Sequence, residues 1–121
     1  MKDVSPGLRF RTLLKKGPIL LPGAFNALSA QLIEQAGFEA VYISGAGLAN
    51  GVAGLPDIGL LSLTEVTVQV RYITQAVEIP AIADADTGFG EGLHFRRAMA
   101  LFEEAGAAGV QIEDQQFPKR C

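Results

Sequence analysis

The sequence predicts an α/β fold built around a parallel β-sheet. Along its 121 residues, short apolar segments alternate with longer segments that have helical periodicity. The apolar segments are too uniform for a sheet with one face in water, which favours parallel strands buried on both faces. Two architectures have this rhythm, the doubly wound sheet and the (β/α)8 barrel. Both collect their functional residues at the carboxyl ends of the strands.

The beginning of the chain predicts a helix, a strand and a second helix. A Ser-Pro pair opens the first predicted helix, at residues 5–16. The apolar run at residues 18–22, which begins and ends with proline, predicts the first strand. Residues 27–35 then predict a connecting helix that is closed by Gly37.

The rest of the chain predicts three further strands and two helices, with a glycine-rich loop over residues 45–57. Ser62 and Glu65 have the spacing of a capping box at the start of one helix, and Gly106 closes the other. The predicted strands are residues 40–44, 80–84 and 109–113, and the predicted helices are residues 62–76 and 92–105.

The composition limits the classes of protein to which this chain can belong. Apolar residues make up 49% of the chain and charged residues 19%, which is typical of a core-forming domain. The net charge of -3 provides no basic surface for nucleic acid, and no apolar run reaches the roughly 18–20 residues of a membrane span. Cys121 is the only cysteine, which excludes an internal disulfide and fits a reducing compartment. We therefore expect a cytoplasmic protein with neither nucleic acid nor membrane as a partner.

The segment at residues 84–90 is a candidate cation site. Asp84 and Asp86 lie two residues apart at the end of a predicted strand, so side-chain alternation points them the same way. Paired carboxylates before a flexible Gly-x-Gly turn suit Mg²⁺, which takes one or two carboxylates and keeps several waters. The alternative is that one aspartate caps the next helix and the other is solvated, and this segment alone supports both equally.

The segment Ser44-Gly45-Ala46-Gly47 is a candidate anion site after the second predicted strand. Glycines let the backbone approach a ligand closely, and free N–H groups bind a carboxylate or phosphate. The glycine spacing does not match a dinucleotide-binding loop. Purely structural glycines explain the segment equally well, and Asp57, further along the loop, is by itself more typical of a turn.

A third candidate lies at residues 112–121. Glu113 ends a predicted strand that should neighbour the strand carrying the two aspartates, so its carboxylate can face the same pocket. Lys119 and Arg120 precede Cys121, and adjacent cations favour a reactive thiolate. The alternative is a surface charge run with an incidental cysteine.

These segments, in this order, resemble the isocitrate lyase/phosphoenolpyruvate mutase superfamily, and within it the methylisocitrate lyases most. The Asp-Ala-Asp-Thr-Gly-Phe-Gly string with a downstream Lys-Arg-Cys is highly specific. One departure is the loop Ser-Gly-Ala-Gly, where relatives often have a third glycine. The resemblance spans nearly the whole chain, and the residues that carry it are 42–45, 54–57, 84–90, 106–109, 112–115 and 119–121.

The resemblance implies a (β/α)8 TIM-type barrel, of which this chain supplies about the first four strand–helix units. Barrels of this type run to about 250 residues. Residues 1–121 are therefore expected to be the N-terminal half of a single barrel domain, truncated in the catalytic loop, because relatives continue past the cysteine with Gly-His. An inactive half-barrel fragment is the non-enzyme alternative.

The resemblance also implies which residues carry the chemistry. The Mg²⁺ ligands would be Asp57, Asp84, Asp86 and Glu113, with Mn²⁺ as an alternative ion. The substrate-binding residues would be Ser44, Gly45, Ala46 and Asp86. The catalytic residues would be Tyr42, beside the oxyanion, and Lys119 and Cys121, in a mobile loop where Cys121 donates a proton.

The implied activity is Mg²⁺-dependent retro-aldol cleavage of 2-methylisocitrate to pyruvate and succinate. It would serve propionate catabolism through the methylcitrate cycle, and the full-length enzyme would be a homotetramer. The alternatives are an isocitrate lyase, an oxaloacetate decarboxylase and a phosphonopyruvate-processing enzyme. Cys121 favours a lyase, since superfamily members that only decarboxylate or act on phosphonates lack this cysteine.

Overall fold

The strands and helices alternate as the sequence predicts. The structure is a computed structural model that describes residues 3–121. In chain order the elements are α1 (Pro6–Leu14), β1 (Gly23–Ala24), α2 (Ala27–Gln35), β2 (Val41–Ile43), α3 (Gly45–Gly47), α4 (Leu63–Ala76), β3 (Ala81–Asp84), α5 (Leu93–Glu104) and β4 (Gly109–Gln111).

The four strands form one parallel sheet in the order β1-β2-β3-β4. Val41 pairs with Ala81, and Ala83 pairs with Val110, so each strand is in register with the next strand of the chain. A doubly wound sheet reverses its strand order at a switch point, whereas a barrel adds strands in sequence. The observed order is that of the barrel, and it separates the two architectures that the sequence pattern leaves open.

The hydrophobic core lies between the sheet and the long connecting helices. Alternate residues of β2 and β3 point into it, and α4 and α5 contribute their apolar faces. Its members include Val41, Ile43, Ala81, Ala83, Val70, Ile73 and Phe102, each at most 2% exposed. Alternation along the strands places Tyr42, Asp84 and Gln111 on the opposite face.

That opposite face corrects one expectation. The sequence predicts strands buried on both sides, but in residues 3–121 Tyr42 and Asp84 are half-buried and Gln111 is exposed. In a barrel this is the face around which the sheet closes.

The first strand lies later than predicted. Residues 18–22 are in neither a strand nor a helix, and β1 is confined to Gly23 and Ala24. Proline has no N–H to donate, so a segment bounded by Pro18 and Pro22 is a poor ladder partner. Pairing starts where the carbonyl of Pro22 accepts the N–H of Tyr42 at 2.9 Å.

Other boundaries differ from the prediction as well, including the first helix, predicted over residues 5–16 and observed at Pro6–Leu14. The loop over residues 45–57 opens with α3 and continues into a π-helical turn, Leu48–Val52. The strand predicted to reach Glu113 ends at Gln111. The predicted capping box of α4 is confirmed, because Ser62 Oγ accepts the N–H of Glu65 and Glu65 Oε2 accepts the N–H of Ser62.

Candidate active site

Four charged side chains from separate parts of the chain meet at the carboxyl ends of the strands. The ammonium of Lys119 lies 2.7 Å from Asp57 Oδ1 and 2.6 Å from Asp86 Oδ1. Glu113 Oε1 is 3.6 Å from the same nitrogen. The three carboxylates follow β2, β3 and β4 in turn, so the parallel sheet itself brings them together.

Asp84 has a different role from the other three carboxylates. Its Oδ1 accepts the N–H of Asp86 at 3.0 Å, and its Oδ2 accepts the N–H of Gly45 at 3.2 Å. A Cβ at Gly45 would lie 2.6 Å from that oxygen, so only glycine fits this approach. Asp84 therefore ties the loops after β2 and β3 to each other.

Asp86 has an unusual backbone conformation for a residue with a side chain. Its φ is 49°, in the left-handed region, and its carbonyl accepts the N–H of Glu113 at 2.8 Å. Such strain is characteristic of sites where surrounding contacts fix one conformation. Burial raises the pKa of the Asp86 carboxyl, and the hydrogen bond from Lys119 offsets this only in part, since Asp84 and Asp57 repel added negative charge.

Lys119 is the buried cation of the cluster, at 7% exposure. Burial alone lowers the pKa of a lysine, but the hydrogen bonds and charges of Asp57 and Asp86 outweigh it. The pKa of Lys119 is therefore raised, and the side chain is an ammonium at neutral pH.

Tyr42 lies on the polar face of the sheet. Its hydroxyl donates to Gln111 Oε1, two strands away. Burial, together with the nearby Asp84 carboxylate, raises the pKa of Tyr42 well above its ordinary value. The phenol therefore stays protonated near neutral pH.

Two backbone N–H groups of the predicted anion site at residues 44–47 already donate hydrogen bonds within the protein. Ser44 Oγ caps α3 by accepting the N–H of Gly47 at 3.0 Å, and the N–H of Gly45 is bonded to Asp84. Ala46 is the second residue of the same turn. Ser44 and Gly45 therefore make hydrogen bonds within the protein at the amino end of a short helix, and the sequence did not predict these bonds.

The segment carrying Lys119 is held to the cluster by Gln115 as well. Gln115 Nε2 donates to Glu113 Oε2 at 2.8 Å, and Gln115 Oε1 accepts the N–H of Arg120 at 3.1 Å. Cys121 is exposed. The structure therefore brings Lys119, but not Cys121, into the cluster.

An open cavity of about 720 Å³ adjoins the cluster. Its polar lining includes Asp86 and Lys119, and its apolar lining includes Phe89, Phe117 and Leu61. A cavity of this size and mixed lining suits a small organic ligand.

Gln111 and Gln115 are site residues that the sequence reasoning missed. Gln111 lies two residues before Glu113, so side-chain alternation along the strand predicted at residues 109–113 would place both on one side. That spacing was the available signal for Gln111. Gln115 lies within residues 112–115, which carry the resemblance, but the sequence did not predict its contacts, because they depend on the path of the loop.

The donor set of the cluster suits a hard cation. Carboxylate oxygens are the protein ligands that Mg²⁺ prefers, and here three of them already surround a positive charge. Within residues 3–121, however, no three His, Cys, Asp or Glu side chains are arranged ready to hold a metal ion. The ammonium of Lys119 lies where the carboxylates converge.

Fold and site together define a parallel α/β protein with an acidic, cation-holding centre at the carboxyl ends of its strands. The family model of phosphoenolpyruvate phosphomutase matches residues 10–120. The chain belongs to that family, and its predicted membership of the isocitrate lyase/phosphoenolpyruvate mutase superfamily is confirmed.

Known proteins extend this assignment. The chain is 48% identical to a 2-methylisocitrate lyase of Aeropyrum pernix over 96% of its own length and 38% of that protein's. It superposes on a crystal structure of 2,3-dimethylmalate lyase with a TM-score of 0.88 and 35% identity, covering 98% of this chain and 40% of that one. A phosphonopyruvate hydrolase complexed with oxalate and Mg²⁺ gives a TM-score of 0.85 at 34% identity, covering 97% and 41%.

These matches confirm the predicted fold class, a (β/α)8-type barrel with four strands in this chain. The chain spans about 40% of the length of the relatives it matches. No helix within residues 3–121 is long and apolar enough to cross a membrane.

Proposed function

We propose that this chain carries the metal-binding part of a Mg²⁺-dependent carbon–carbon lyase that cleaves 2-methylisocitrate to pyruvate and succinate. The observation that carries the proposal is the convergence of Asp57, Asp86 and Glu113 on one cation, at the strand ends where barrel enzymes hold their substrates. The 48% identity to a 2-methylisocitrate lyase supports this reaction.

The proposed metal ligands are Asp86, directly, and Asp57, Asp84 and Glu113, largely through water. Both oxygens of Asp84 accept backbone N–H groups, which suits an indirect role. When bound, Mg²⁺ or Mn²⁺ supplies Lewis-acid stabilisation of the negative charge that develops on the substrate. The Mg²⁺ named with the phosphonopyruvate hydrolase supports this choice of ion.

The proposed substrate-binding residues are Ser44, Gly45, Ala46 and Asp86. In this proposal the backbone of the turn at residues 44–47 binds the carboxylate of the pyruvate-like half, which requires the N–H of Gly45 to leave Asp84. Tyr42 keeps its proton, because its pKa is raised, and so can donate a hydrogen bond to the substrate once the hydroxyl turns away from Gln111.

Cys121 is the proposed proton donor. In the retro-aldol step, the substrate hydroxyl loses its proton to solvent and its oxygen becomes the carbonyl oxygen of pyruvate; solvent returns one proton to the Cys121 thiolate afterwards, so the protons balance. The electron pair of the broken carbon–carbon bond stays on the succinate-side carbon, and the Cys121 thiol protonates that carbon. Lys119 is the proposed catalytic partner in the same loop. Cys121 is exposed, so the loop must move before the thiol reaches substrate.

We further propose that residues 1–121 form the N-terminal half of one barrel domain, in a cytoplasmic homotetramer of propionate catabolism. Half a barrel leaves unpaired strand edges at β1 and β4, which favours aggregation. Residues 1–121 alone are therefore expected to lack lyase activity. A monomeric, active protein of these residues would contradict the half-barrel proposal.

A comparison of substrates tests the reaction. The protein at its natural length, with Mg²⁺, is incubated separately with 2-methylisocitrate, isocitrate, oxaloacetate and phosphonopyruvate, and the products are quantified. We expect the highest kcat/KM on 2-methylisocitrate, with pyruvate and succinate formed in equal amounts. Preference for phosphonopyruvate or oxaloacetate would instead assign the site to those relatives. No turnover of any of the four would favour the non-enzyme alternative.

A further inference from the structure

Lys119 does more in this structure than carry charge in a loop. Its ammonium fills the point where Asp57, Asp86 and Glu113 converge, within hydrogen-bond distance of the first two. It is 7% exposed and has two strong acceptors, so its position is that of a bound cation.

The oxygens that hold Lys119 are those that the proposed metal needs. Asp86 Oδ1 and Asp57 Oδ1 both lie within 2.7 Å of the ammonium nitrogen. A divalent cation bound to the same two oxygens would occupy the place of the ammonium nitrogen, because both cations need the point where these carboxylates converge. One acidic cluster therefore has room for one of the two cations at a time.

The same contacts fix the loop that ends on the thiol. Lys119 anchors residues 115–121 to the cluster, and Gln115 adds a bond to Glu113. Cys121 is two residues from the anchor and is exposed while Lys119 is bound. Release of Lys119 would remove the main anchor and let Cys121 move.

We propose that Lys119 is an internal competitor of the divalent cation, so that metal binding expels its ammonium from the cluster and releases the loop carrying Cys121. This inference rests on the proposed metal site. It gives Lys119, in addition to its proposed catalytic role, a positioning role in the metal-free protein, which delays release of the proton donor until the metal is in place.

Mn²⁺ affinity tests the proposal, measured by the electron paramagnetic resonance of free Mn²⁺ with the natural-length protein. Lys119→Gln should bind Mn²⁺ about tenfold more tightly than the wild type or better, because apparent affinity falls with the fraction of molecules whose site is free. Arg120→Gln is the matched control. It removes the same charge from the next residue, whose side chain is exposed, and should bind Mn²⁺ as the wild type does.

A second measurement needs only the wild type, and so holds even if Lys119→Gln does not fold. Without metal, acylation of Lys119 by an amine reagent, followed by mass spectrometry, should be slow because the nitrogen is buried. Increasing concentrations of Mn²⁺ should speed the acylation of Lys119 and change the alkylation rate of Cys121. Both rates should change with the same midpoint concentration as Mn²⁺ binding.

The outcomes separate this inference from the proposed function. The proposed competition is wrong if folded Lys119→Gln binds Mn²⁺ no more tightly than the wild type. It is also wrong if the rate of Lys119 acylation does not change with Mn²⁺. Either result would leave the proposed metal site intact. Absence of Mn²⁺ binding by all three proteins would overturn both.

Discussion

The two ends of the sheet are built from different interactions. At the amino ends of the strands, side chains bond neutral backbone groups: Glu34 Oε1 accepts the N–H groups of Glu78 and Ile79, and Thr74 Oγ1 donates to the carbonyl of Ala105. At the carboxyl ends, three carboxylates share one ammonium. At the amino end, side chains pair with neutral backbone groups of neighbouring segments, whereas the carboxyl end brings like charges together.

This difference separates stability from function. Bringing carboxylates together is unfavourable unless a cation compensates, and the left-handed conformation of Asp86 adds strain. The amino end has no such cost. Changes at the carboxyl end should therefore affect chemistry more than folding, and changes at the amino end should do the reverse.

Replacing the central carboxylate should give the largest effect. Asp86→Asn keeps the shape and tolerates the φ of 49°, but removes the charge that the metal needs. Lewis-acid stabilisation is worth several kcal/mol, so turnover should fall by about 1,000-fold or more. Pyruvate release measures turnover, and circular dichroism confirms folding. Turnover at the wild-type rate in a folded variant would show that Asp86 is not needed to bind the metal.

Cys121→Ser should have the next largest effect. A serine hydroxyl is a far weaker acid than a thiol, and general acid catalysis contributes about 100- to 10,000-fold. We expect kcat to fall by at least about 100-fold, while Mn²⁺ affinity stays that of the wild type. Steady-state kinetics and a metal titration check the two parts. A variant with unaltered kcat would show that another group protonates the product.

At the amino end, Glu34→Ala should lower stability and spare catalysis. It leaves the N–H groups of Glu78 and Ile79 without their acceptor, which costs about 1–3 kcal/mol. Urea unfolding of the natural-length protein measures the loss. Glu34→Gln is the matched control, because it keeps Oε1 as an acceptor and should lose less. A lower kcat in Glu34→Ala at a temperature where it is folded would contradict the separation of the two ends.

The smallest effect concerns a carboxylate that lies outside the cluster. Hydrogen bonds from Ser62 lower the pKa of Glu65, which is fully exposed. A depressed folded pKa gives stability that is present above the unfolded value of 4.5 and lost as pH falls through the folded pKa. Glu65→Gln should therefore flatten the acid limb of the stability curve slightly and leave turnover unchanged. An acid limb identical to that of the wild type would show that the capping box adds nothing measurable.

Whether a feature of the fold or site could be predicted depends on how far apart in the sequence its interacting residues lie. Local patterns predicted the capping box of α4. Strand alternation, which predicted one side for Asp84 and Asp86, does not extend to Asp86, because β3 ends at Asp84 and Asp86 has a left-handed backbone. Local patterns also placed the first strand wrongly, because an apolar run looks like a strand even where prolines remove the donors.

The contacts within the site were not predictable from local patterns. Tyr42 and Gln111 are 69 residues apart, and Gly45 and Asp84 are 39 apart. These pairs depend on the strand register and on loop paths. The resemblance named Lys119 as a loop residue, but only the structure places its ammonium among the carboxylates.

Removal and return of the metal tests the central claim most directly. Pyruvate formation from 2-methylisocitrate is measured for the natural-length protein after extensive chelation and again after Mg²⁺ is restored. We expect turnover to disappear on chelation and to return with Mg²⁺ at a midpoint equal to the dissociation constant of the metal. Turnover that survives complete removal of divalent cations would contradict that claim.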